Sequence, residues 1–555
     1  MSNPTDLKQE NQSQIDHELT ESKTSGISIN EKSIVPDDDG IIPMSSKENF
    51  LLVLGLAISL FLGALDNTIV STALPTIANE LNSLSQISWV ATSYMLSSTA
   101  LQPLYGKLSD VFGTKMCLIF SIVIFQIGSL ISGLAKSVII LIIGRGITGI
   151  GGAGLFVLAI LVISETIPLK DRGKYMGMFG AVFGLSSIIG PLLGGLFTDK
   201  ASWRWCFYIN LPLGVVSLLS VIFIIKIKPP TGSIKHKLAR IDFFGLFLLV
   251  AALVMILLAL NWGGNDYAWN SPLVLSLLIA GLLMVAAFVI YEIKFPKEPL
   301  IPMKIFKIRN ISLILASQFF IGYVMFGIIF YIPIYYNVLH DGSATKAGLF
   351  LLPFLLGLVV ASIASGQFIA RSGVYRPLFW IGTAVLAAGT GLISTFNQNT
   401  TSAVHIVYMV IAGLGLGLCM QSMIISAQAS STKEILSMAT TMVAFFRVIG
   451  GSIGLAVISA INSSFLSSKI DAFIAEYPEY KEIAEIAINN ARIIYAESTP
   501  EIAKKGILDA YIVALRASFI SLIPAGIIGF IFTIFIKHIS IKKNKGQSEK
   551  IVAEV

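Results

Sequence analysis

Charged residues are scarce in this chain, since 13% of its 555 residues are Asp, Glu, Lys or Arg whereas 55% are hydrophobic. Together with a mean hydropathy of +0.80, this composition excludes a water-soluble globular protein of that length. The sequence therefore predicts an all-α polytopic membrane protein, whose spans are helices of about 20 residues.

Residues that bind metals or act as nucleophiles are also few. Cys117, Cys206 and Cys419 lie far apart, in or beside apolar runs, and form no CxxC pattern, so we interpret them as buried thiols. The five histidines fall in the tails or at loop edges and form no HExxH motif. These absences argue against a membrane enzyme, a cofactor and a metal site.

Long apolar runs make up most of the chain, and fourteen of them can cross about 30 Å of hydrocarbon as helices. The thirteenth run is too long for one simple span, so its last turns are expected to leave the membrane. The runs cover residues 50–74, 86–105, 115–135, 138–163, 173–197, 205–225, 241–260, 271–293, 311–336, 346–369, 375–396, 402–427, 435–465 and 508–536.

Lys and Arg in the short loops indicate the orientation, because cytoplasmic loops carry an excess of both. One alternate set of loops is basic and is assigned to the cytoplasm together with both termini. The formal net charge of +7 follows from this topology and does not indicate nucleic-acid binding. Residues 1–46 are predicted to be a disordered cytoplasmic tail, and residues 537–555 a second cytoplasmic tail.

Asp66 interrupts an otherwise uncharged run from Phe50 to Pro75. A carboxylate inside a span costs roughly 3 kcal/mol on insertion scales, so by default it marks an ion or substrate pathway. The alternative is a carboxylate tied to a neighbouring span for packing alone. Asp66 lies about 24 Å from the cytoplasmic end of its helix, at about 1.5 Å per residue, and therefore in the non-cytoplasmic half of the membrane.

An internal repeat divides the chain into related parts. Gly106 and Gly113 bracket the loop after the second span, and Gly366 and Gly373 bracket the loop after the tenth span with the same separation of seven residues. Transporters are often built from duplicated helical bundles. We predict an N-terminal six-helix bundle at 47–225, a linker with two extra transmembrane helices at 226–310, and a C-terminal six-helix bundle at 311–536 that includes a non-cytoplasmic loop at 466–507.

Several motifs together carry a family resemblance, over about residues 48–540. They are GKLSDVFGTK at 106–115, LDNTIVSTALP at 65–75, RGITGIGG at 145–152, GPLLGG at 190–195, QPLY at 102–105 and WRWCFYINLP at 203–212. They resemble the motifs of the major facilitator superfamily, and within it those of the fourteen-span drug:proton antiporters in their fungal branch, which includes multidrug and vacuolar basic amino-acid transporters. Thr114 and Thr148 depart from the family pattern, where a basic residue and a glutamine are usual.

The resemblance implies a fold of two six-helix bundles that alternate in opening to either side. It also implies that Arg145, in the fourth span, faces the cavity and tunes the protonation of a nearby acid. The alternative is a side chain that reaches to the nearer interface. Arg145 and Asp66 lie at similar depths, so we assign proton coupling to this pair, with Asp66 as the proton acceptor.

The resemblance assigns the loop after the second span to a conformational latch. Asp110 is expected to accept hydrogen bonds or to pair with Arg172 or Lys115, between Gly106 and Gly113, which permit a tight turn. An ordinary solvated charge is the alternative for Asp110.

Small residues in the fifth span allow close helix packing, and a proline bends that helix. The resemblance adds an antiporter role, in which this helix seals the cavity against leak. The residues concerned are Gly180, Gly184, Gly190, Pro191, Gly194 and Gly195. Arg447, followed by several glycines, forms a similar arrangement in the thirteenth span.

Polar and aromatic residues are candidates for the substrate cavity, although such residues also pack without a ligand. Those assigned to the cavity are Asn67, Gln318, Tyr323 and Gln421. Asn399 and Asn462 begin glycosylation sequons on the predicted non-cytoplasmic side.

The sequence thus predicts a proton-coupled antiporter that exports small amphipathic or cationic compounds, such as drugs or toxins, from the cytoplasm. Its expected partners are a small-molecule substrate, protons and the lipid bilayer, and it is expected to act as a monomer in the plasma or vacuolar membrane. A vacuolar importer of basic amino acids by proton exchange and a siderophore exporter remain alternatives. An ion channel is the alternative outside the transporters, and it would show re-entrant filter segments.

Overall fold

The computed structural model describes residues 46–81, 86, 88–225, 227, 233, 240–264, 267–296, 298–340, 344–489, 494–495 and 499–541. The N-terminal tail up to residue 45, most of the stretch 226–239 and the C-terminal residues 542–555 lie outside this description. Within the described chain, helices dominate and no strand forms, which confirms the predicted all-α class.

Eighteen α-helices are labelled here in chain order. They are α1 (Ser46–Glu80), α2 (Ser88–Phe112), α3 (Thr114–Gly133), α4 (Val138–Thr166), α5 (Leu169–Lys200), α6 (Trp205–Tyr208), α7 (Asn210–Ile224), α8 (Phe243–Trp262), α9 (Pro272–Lys294), α10 (Arg309–Leu339), α11 (Ala344–Phe350), α12 (Leu352–Ser372), α13 (Arg376–Ile393), α14 (Ser402–Ala429), α15 (Leu436–Glu476), α16 (Lys481–Asn489), α17 (Glu501–Ile520) and α18 (Leu522–Ile534).

Thirteen stretches of helix in the described chain are long and apolar enough to cross a membrane, if α6 with α7 and α17 with α18 are each taken as one. The remaining predicted span is α2, which is too polar for that set. It is nevertheless a 25-residue helix, about 37 Å long, and it packs between α4 and α15. Its polar residues therefore meet protein and not only lipid.

The helix α15 continues well beyond the predicted span. Its 41 residues extend about 62 Å, roughly twice the thickness of the hydrocarbon layer. Much of the segment 466–507, which was predicted as a loop, is helical, because it contains the end of α15, α16 and the start of α17. Asn462 lies inside α15 and is half-buried, whereas Asn399 lies in an exposed turn.

The two repeated loops share a backbone feature. Gly113 has φ +91° and Gly373 has φ +74°, and each lies in the short connection between two consecutive helices. Residues with a Cβ rarely adopt such values. The second glycine of each repeat is therefore required by the conformation of its turn.

The helices form two groups that meet along two seams. In the first group, α1 packs on α5 and α7, and α4 packs on α2 and α3; in the second, α10 packs on α15 and α18, and α14 packs on α12 and α13. The groups meet where α5 contacts α12 and where α2 contacts α15. The helices α8 and α9 pair with each other, and α8 also touches α2 and α15.

Apolar side chains face outward around the helices. Phe223 is 75% exposed, and Leu283 and Ile293 are each 65% exposed. Such surfaces are costly in water but suit a lipid environment. The helix α9 is the least covered by protein, with 17% of its most apolar window buried, so it presents mainly a lipid-facing surface.

Candidate functional site

Asp66 and Arg145 form an ion pair between α1 and α4. The Arg145 Nη1 atom lies 2.6 Å from the Asp66 Oδ2 atom, and the exposed fractions of the two side chains are 2% and 0%. Both charges are therefore removed from solvent and lie within helices long enough to span a membrane. The structure brings together the two residues that the depth argument had placed at the same level.

Further polar groups form hydrogen bonds with both side chains of this ion pair. Asn210, at the start of α7, donates through Nδ2 to Asp66 Oδ1 at 2.9 Å and to the Ser129 hydroxyl at 3.1 Å. Arg145 donates through Nε to the carbonyl of Val90 at 3.1 Å. Both oxygens of the carboxylate are thus occupied, one by a cation and one by an amide.

Two aromatic rings cover the guanidinium of Arg145. Its Cζ atom lies 4.4 Å from the centroid of the Tyr94 ring and 5.9 Å from that of Phe207, within the range of cation–π attraction. Tyr94 can approach because a Cβ at Gly149 of α4 would lie 2.5 Å from the Tyr94 carbonyl oxygen. Gly149 therefore lets the backbone of α2 approach α4 at Tyr94, whereas Gly152 of the same motif leaves room for the ring, since a Cβ there would lie 2.6 Å from the Tyr94 hydroxyl oxygen.

Asn67, assigned to the cavity, lies beside the pair but on a different face of α1. Its side chain is exposed and donates to the Tyr94 hydroxyl at 3.4 Å. Tyr94 therefore lies between the buried arginine and an exposed amide. The site is sealed by protein on the Asp66 side and open on the Asn67 side.

The motif at 203–212 fixes the far end of α1. Trp203 Nε1 and Arg204 Nη1 donate to the two carboxylate oxygens of Glu80 at 2.7 and 2.6 Å. The hydrogen bond from Arg204 holds the pKa of Glu80 below its usual value. Since Glu80 ends α1 and Asn210 belongs to the same motif as Trp203 and Arg204, this contact helps to place Asn210 against Asp66.

Sequence reasoning missed Asn210, Tyr94 and Ser129 as members of the site. Asn210 lay within a motif that was noticed only for its resemblance to fungal relatives. Tyr94 and Ser129 had the weaker signal of polar groups within predicted spans. Buried polar groups need hydrogen-bond partners, so a polar side chain inside a predicted span indicates a partner on a neighbouring helix.

The latch residues lie where α2 meets α15. Partial burial raises the pKa of the Asp110 carboxyl, and the neighbouring Ser437 side chain of α15 lowers it in part; a Cβ at Gly106 would lie 2.8 Å from the Thr441 hydroxyl oxygen. Ser437 and Thr441 belong to the second helix group. The residues assigned to the latch thus lie where the two groups meet, with Ser437 as the neighbour of Asp110.

Lys115 and Arg172, the two partners expected for Asp110, make other contacts. Lys115 donates to the carbonyls of Ile222 and Ile225 at 2.8 and 2.6 Å, at the end of α7. Arg172 donates to the carbonyl of Ile167 at 2.8 Å and to Gln428 Oε1 at 3.2 Å. Gln428 lies on α14, so Arg172 provides a second polar contact between the groups.

Thr114, which departs from the family pattern, donates a hydrogen bond to Glu165 near the end of α4. Thr148, the other departure, donates to the carbonyl of Gly144 in its own helix at 2.8 Å. Neither contacts the Asp66 carboxylate. The substitutions therefore leave the ion pair in place.

A charged cluster joins the linker to the latch. Glu298, which follows α9, lies 3.2 Å from Lys107 Nζ and 2.8 Å from Arg240 Nε. The hydrogen bond from Arg240, with that from Lys107, holds the pKa of Glu298 below its usual value. The start of α8 and the end of α9 are thereby linked to each other and, through Lys107, to the end of α2.

The helix α5 contacts both groups through its glycines. A Cβ at Gly190 or Gly194 would collide with Thr68 or Ile69 of α1. A Cβ at Gly180 or Gly184 would collide with the side chains of Ser362 or Val359 on α12. Pro191 lies inside the helix and close to Gly348, and Gly195 is half-buried next to Gly194.

The same seam continues toward the predicted cytoplasmic face, the end that carries Gly106 and Arg172. There a Cβ at Gly173 would lie 2.7 Å from the carbonyl oxygen of Gly366, and one at Gly177 would lie 2.7 Å from that of Ser362. Backbone therefore rests directly on backbone between α5 and α12.

The other cavity candidates are separate from the ion pair. Gln318 is buried and donates through Nε2 to the sulfur of Met423 at 3.1 Å. The Tyr323 hydroxyl donates to the Ser521 hydroxyl at 3.3 Å. Gln421 is buried beside Gly180 of α5, so among these three it is the one that faces the seam between the groups.

Two cavities open elsewhere in the described chain. One, of about 280 Å³, lies between α2, α8, α10 and α15, with Met95, Asn261, Tyr331 and Ser452 in its lining. The other, of about 680 Å³, lies beside the ends of α10 and α14 and is lined by Tyr336, His340 and His405, among others. The first lies between the two helix groups.

Comparisons with known proteins agree with this architecture. The profile of the Major Facilitator Superfamily matches residues 56–455. An MFS-type efflux pump of Arthroderma benhamiae is 38% identical over 413 residues, 73% of this chain and 77% of that protein. The multidrug transporter protein MdtP of Bacillus subtilis is 34% identical over 521 residues, 90% of this chain and 95% of that protein.

A solved structure supports the fold alone. The human organic anion transporter MFSD10 superposes with a TM-score of 0.58, covering 88% of this chain and 100% of that chain, at 12% sequence identity. At that identity the likeness concerns the path of the helices and not what they bind.

Proposed function

Because this chain belongs to the Major Facilitator Superfamily, we propose that it is a proton-coupled antiporter that exports small amphipathic or cationic compounds by alternating access. Membership in the family makes it an integral membrane transporter of small molecules and not an enzyme, as the motifs predicted. Proton coupling, the exchange and the class of cargo are the proposal.

The buried ion pair of Asp66 and Arg145 carries the proposal. Removing two charges from water costs about as much free energy as their attraction returns, so such a pair is weak support for stability. Within a membrane span an ionisable pair is by default a functional site. Protonation of Asp66 removes one charge of the pair and leaves Arg145 with the Val90 carbonyl and the Tyr94 ring.

The contacts between the helix groups suggest how that charge change is used. Asp110 with Ser437 and Arg172 with Gln428 hold the predicted cytoplasmic face together. We infer that both contacts break when the cavity opens to the cytoplasm. A proton taken up by Asp66 from the opposite side, and released after that opening, would couple the two movements.

Export is the proposed direction because relatives that cover most of this chain are named efflux pumps or multidrug transporters. We propose that the chain acts as a monomer in the plasma or vacuolar membrane, with both termini in the cytoplasm. In either membrane the proton gradient runs toward the cytoplasm, so exchange drives cargo out of it.

Transport into liposomes tests the proposal. The purified full chain is reconstituted with an acidic lumen, and uptake of ethidium, dansylcadaverine and dansylglycine is followed by fluorescence. At least one probe should be concentrated only while the pH gradient lasts, and addition of nigericin should release it. Asp66→Asn should abolish the gradient-driven part, whereas Asp471→Asn, which changes an exposed carboxylate of α15, should leave it unchanged.

The proposal fails if every probe reaches the same level at the same rate with and without the gradient. The assignment of Asp66 as the proton acceptor fails if Asp66→Asn protein, present in equal amount, retains full gradient-driven uptake.

A further inference from the structure

Arg447 is a buried cation about a quarter of the way along α15. It lies about 16 Å along the helix from Leu436, at about 1.5 Å per residue, while the hydrocarbon layer is about 30 Å thick. The residue is 5% exposed. A guanidinium at this depth is costly unless something compensates its charge.

The described residues offer Arg447 no such compensation. None of their carboxylates lies within ion-pair distance of it, and its Nη1 atom is buried without a hydrogen-bond partner among them. Buried donors are nearly always satisfied. A buried guanidinium with an unsatisfied nitrogen therefore points to an anion that binds from elsewhere.

The guanidinium points toward the other helix group. Its Cζ atom lies 5.8 Å from the centroid of the Phe156 ring, on α4. Arg447 belongs to the second group and Phe156 to the first, so the charge lies between them. Substrate sites of transporters lie near the midplane at such an interface between bundles.

The backbone of Arg447 is held firmly in place. A Cβ at Gly322 of α10 would collide with the Arg447 carbonyl, and one at Gly450 would collide with the carbonyl of Phe319. The backbone that carries the guanidinium thus has little room for adjustment at this helix crossing. Such fixed presentation favours binding, because less freedom is lost when a ligand arrives.

A second unsatisfied group lies on the same crossing. Gln318 is one turn from Gly322 on α10; its Oε1 atom is buried without a partner in the described chain, although its Nε2 atom donates to Met423. The crossing therefore offers a cation for an acid and an acceptor for a hydroxyl or amide hydrogen.

We propose that Arg447 binds the acidic group of a transported compound, so that the cargo includes aromatic amphipathic acids with a single carboxylate or similar anion. Arg447 supplies the charge and hydrogen bonds, and Phe156 supplies an apolar surface for the body of the ligand. This inference rests on the proposed transport function, but it concerns equilibrium binding and needs no proton gradient. An anionic lipid headgroup shares the chemistry of the acid and is distinguished by the test.

Three probes with one aromatic body separate charge from hydrophobicity. Dansylglycine is an anion, its amide is neutral and dansylcadaverine is a cation. Binding of each to the purified full chain in phosphatidylcholine nanodiscs is measured by the rise in dansyl fluorescence. Wild-type protein should bind dansylglycine about tenfold or more tightly than the amide, as one hydrogen-bonded charge contact predicts.

Variants then assign the preference to one residue. Arg447→Gln should bind the acid and the amide equally, while Arg447→Lys should retain most of the preference. Arg516→Gln, which neutralises an exposed arginine of α17, is the matched control and should behave as wild type. Arg447→Gln will bind none of the probes if it does not fold. In that case Arg447→Lys and the wild-type preference still test whether the charge at residue 447 selects the acid.

The inference is overturned if wild type binds the three probes alike or prefers the cation. It is overturned equally if Arg447→Gln keeps the preference for the acid, or if folded Arg447→Lys loses that preference. It is also overturned if phosphatidylglycerol displaces bound dansylglycine at a lower concentration than that at which dansylglycine itself binds. Failure of the gradient-driven uptake described above, with the binding preference intact, would count against proton coupling alone.

Discussion

The two buried arginines of this protein have opposite surroundings. Arg145, in the first helix group, is matched by the Asp66 carboxylate, the Val90 carbonyl and the Tyr94 ring. Arg447, in the second group, faces the Phe156 ring and has a buried nitrogen without a hydrogen-bond partner in the described chain. Both follow the same pattern of an arginine followed by glycines.

The difference indicates a division of labour between the groups. A cation that carries its own counter-ion can respond to protonation of that counter-ion. A cation without one can respond only to something that arrives. We therefore interpret the first group as the proton-sensing side of the cavity and the second as the side that meets an acidic cargo.

Removing Asp66 should break this contrast with the largest effect. Asp66→Ala leaves Arg145 buried and unpaired, which typically lowers the free energy of unfolding by about 3–5 kcal/mol. Thermal unfolding of the detergent-solubilised protein, followed by tryptophan fluorescence, should show a clear drop in Tm. Adding Arg145→Met should restore much of the loss, because it removes the stranded charge.

Arg447→Met is the matching change in the second group. This substitution removes a buried charge without leaving an anionic partner unpaired, so Tm should stay the same or rise. An equal loss of Tm in Asp66→Ala and Arg447→Met would mean that the two arginines are held in the same way, and the contrast would be wrong.

A change at the latch sharpens the comparison, because Asp110 of the first group faces Ser437 on the helix that carries Arg447. Asp110→Ala should remove about 1 kcal/mol from the closed predicted cytoplasmic face, since the carboxylate is exposed to solvent. Probe uptake should change rate several-fold while the dissociation constant of dansylglycine stays constant. Asp110→Asn, which keeps an acceptor, is the control, and an unchanged rate in Asp110→Ala would exclude a latch.

The smallest effect is expected at Glu298, whose exposed ion pairs contrast with the buried pair of Asp66. Its folded pKa is below the usual value, so its stabilising contribution is present above pH ~4.3 and is lost as the pH falls through the folded pKa. The side chain is 40% exposed, so the contribution is below about 1 kcal/mol.

Tm measured between pH 7 and pH 3 should therefore differ slightly between wild type and Glu298→Gln, with the difference vanishing at the acidic end. High salt should reduce the difference at pH 7. A difference that grows as the pH falls would contradict the assigned sign.

Depth along a helix was predictable from the sequence, but rotation about its axis was not. A rise of about 1.5 Å per residue placed Asp66 and Arg145 at the same level. The helix α1 is apolar on all sides, so its sequence does not indicate which face meets α4. The 2.6 Å contact between the two side chains therefore depends on how the helices pack.

Some contacts between residues that are distant in sequence could not be predicted from the sequence. Asn210 reaches Asp66 from another helix, and Ser437 reaches Asp110 from the other helix group. Motif resemblance identified Asp110 but supplied Arg172 and Lys115 as partners, because nearby basic residues were the visible candidates. The missing counter-ion of Arg447 was equally invisible, since the sequence contains acids but does not reveal their distance.

The glycine faces of α5 have a consequence for the cost of motion. Where α5 meets α12, the touching surfaces are largely main chain at Gly173, Gly177 and Gly366. Interlocked side chains must change rotamer before two helices can slip past one another. Surfaces formed mainly by glycine main chain have few interdigitating side chains that would need to move. The seam is thus closely packed, and its main-chain surfaces can slide past one another with little rearrangement of side chains.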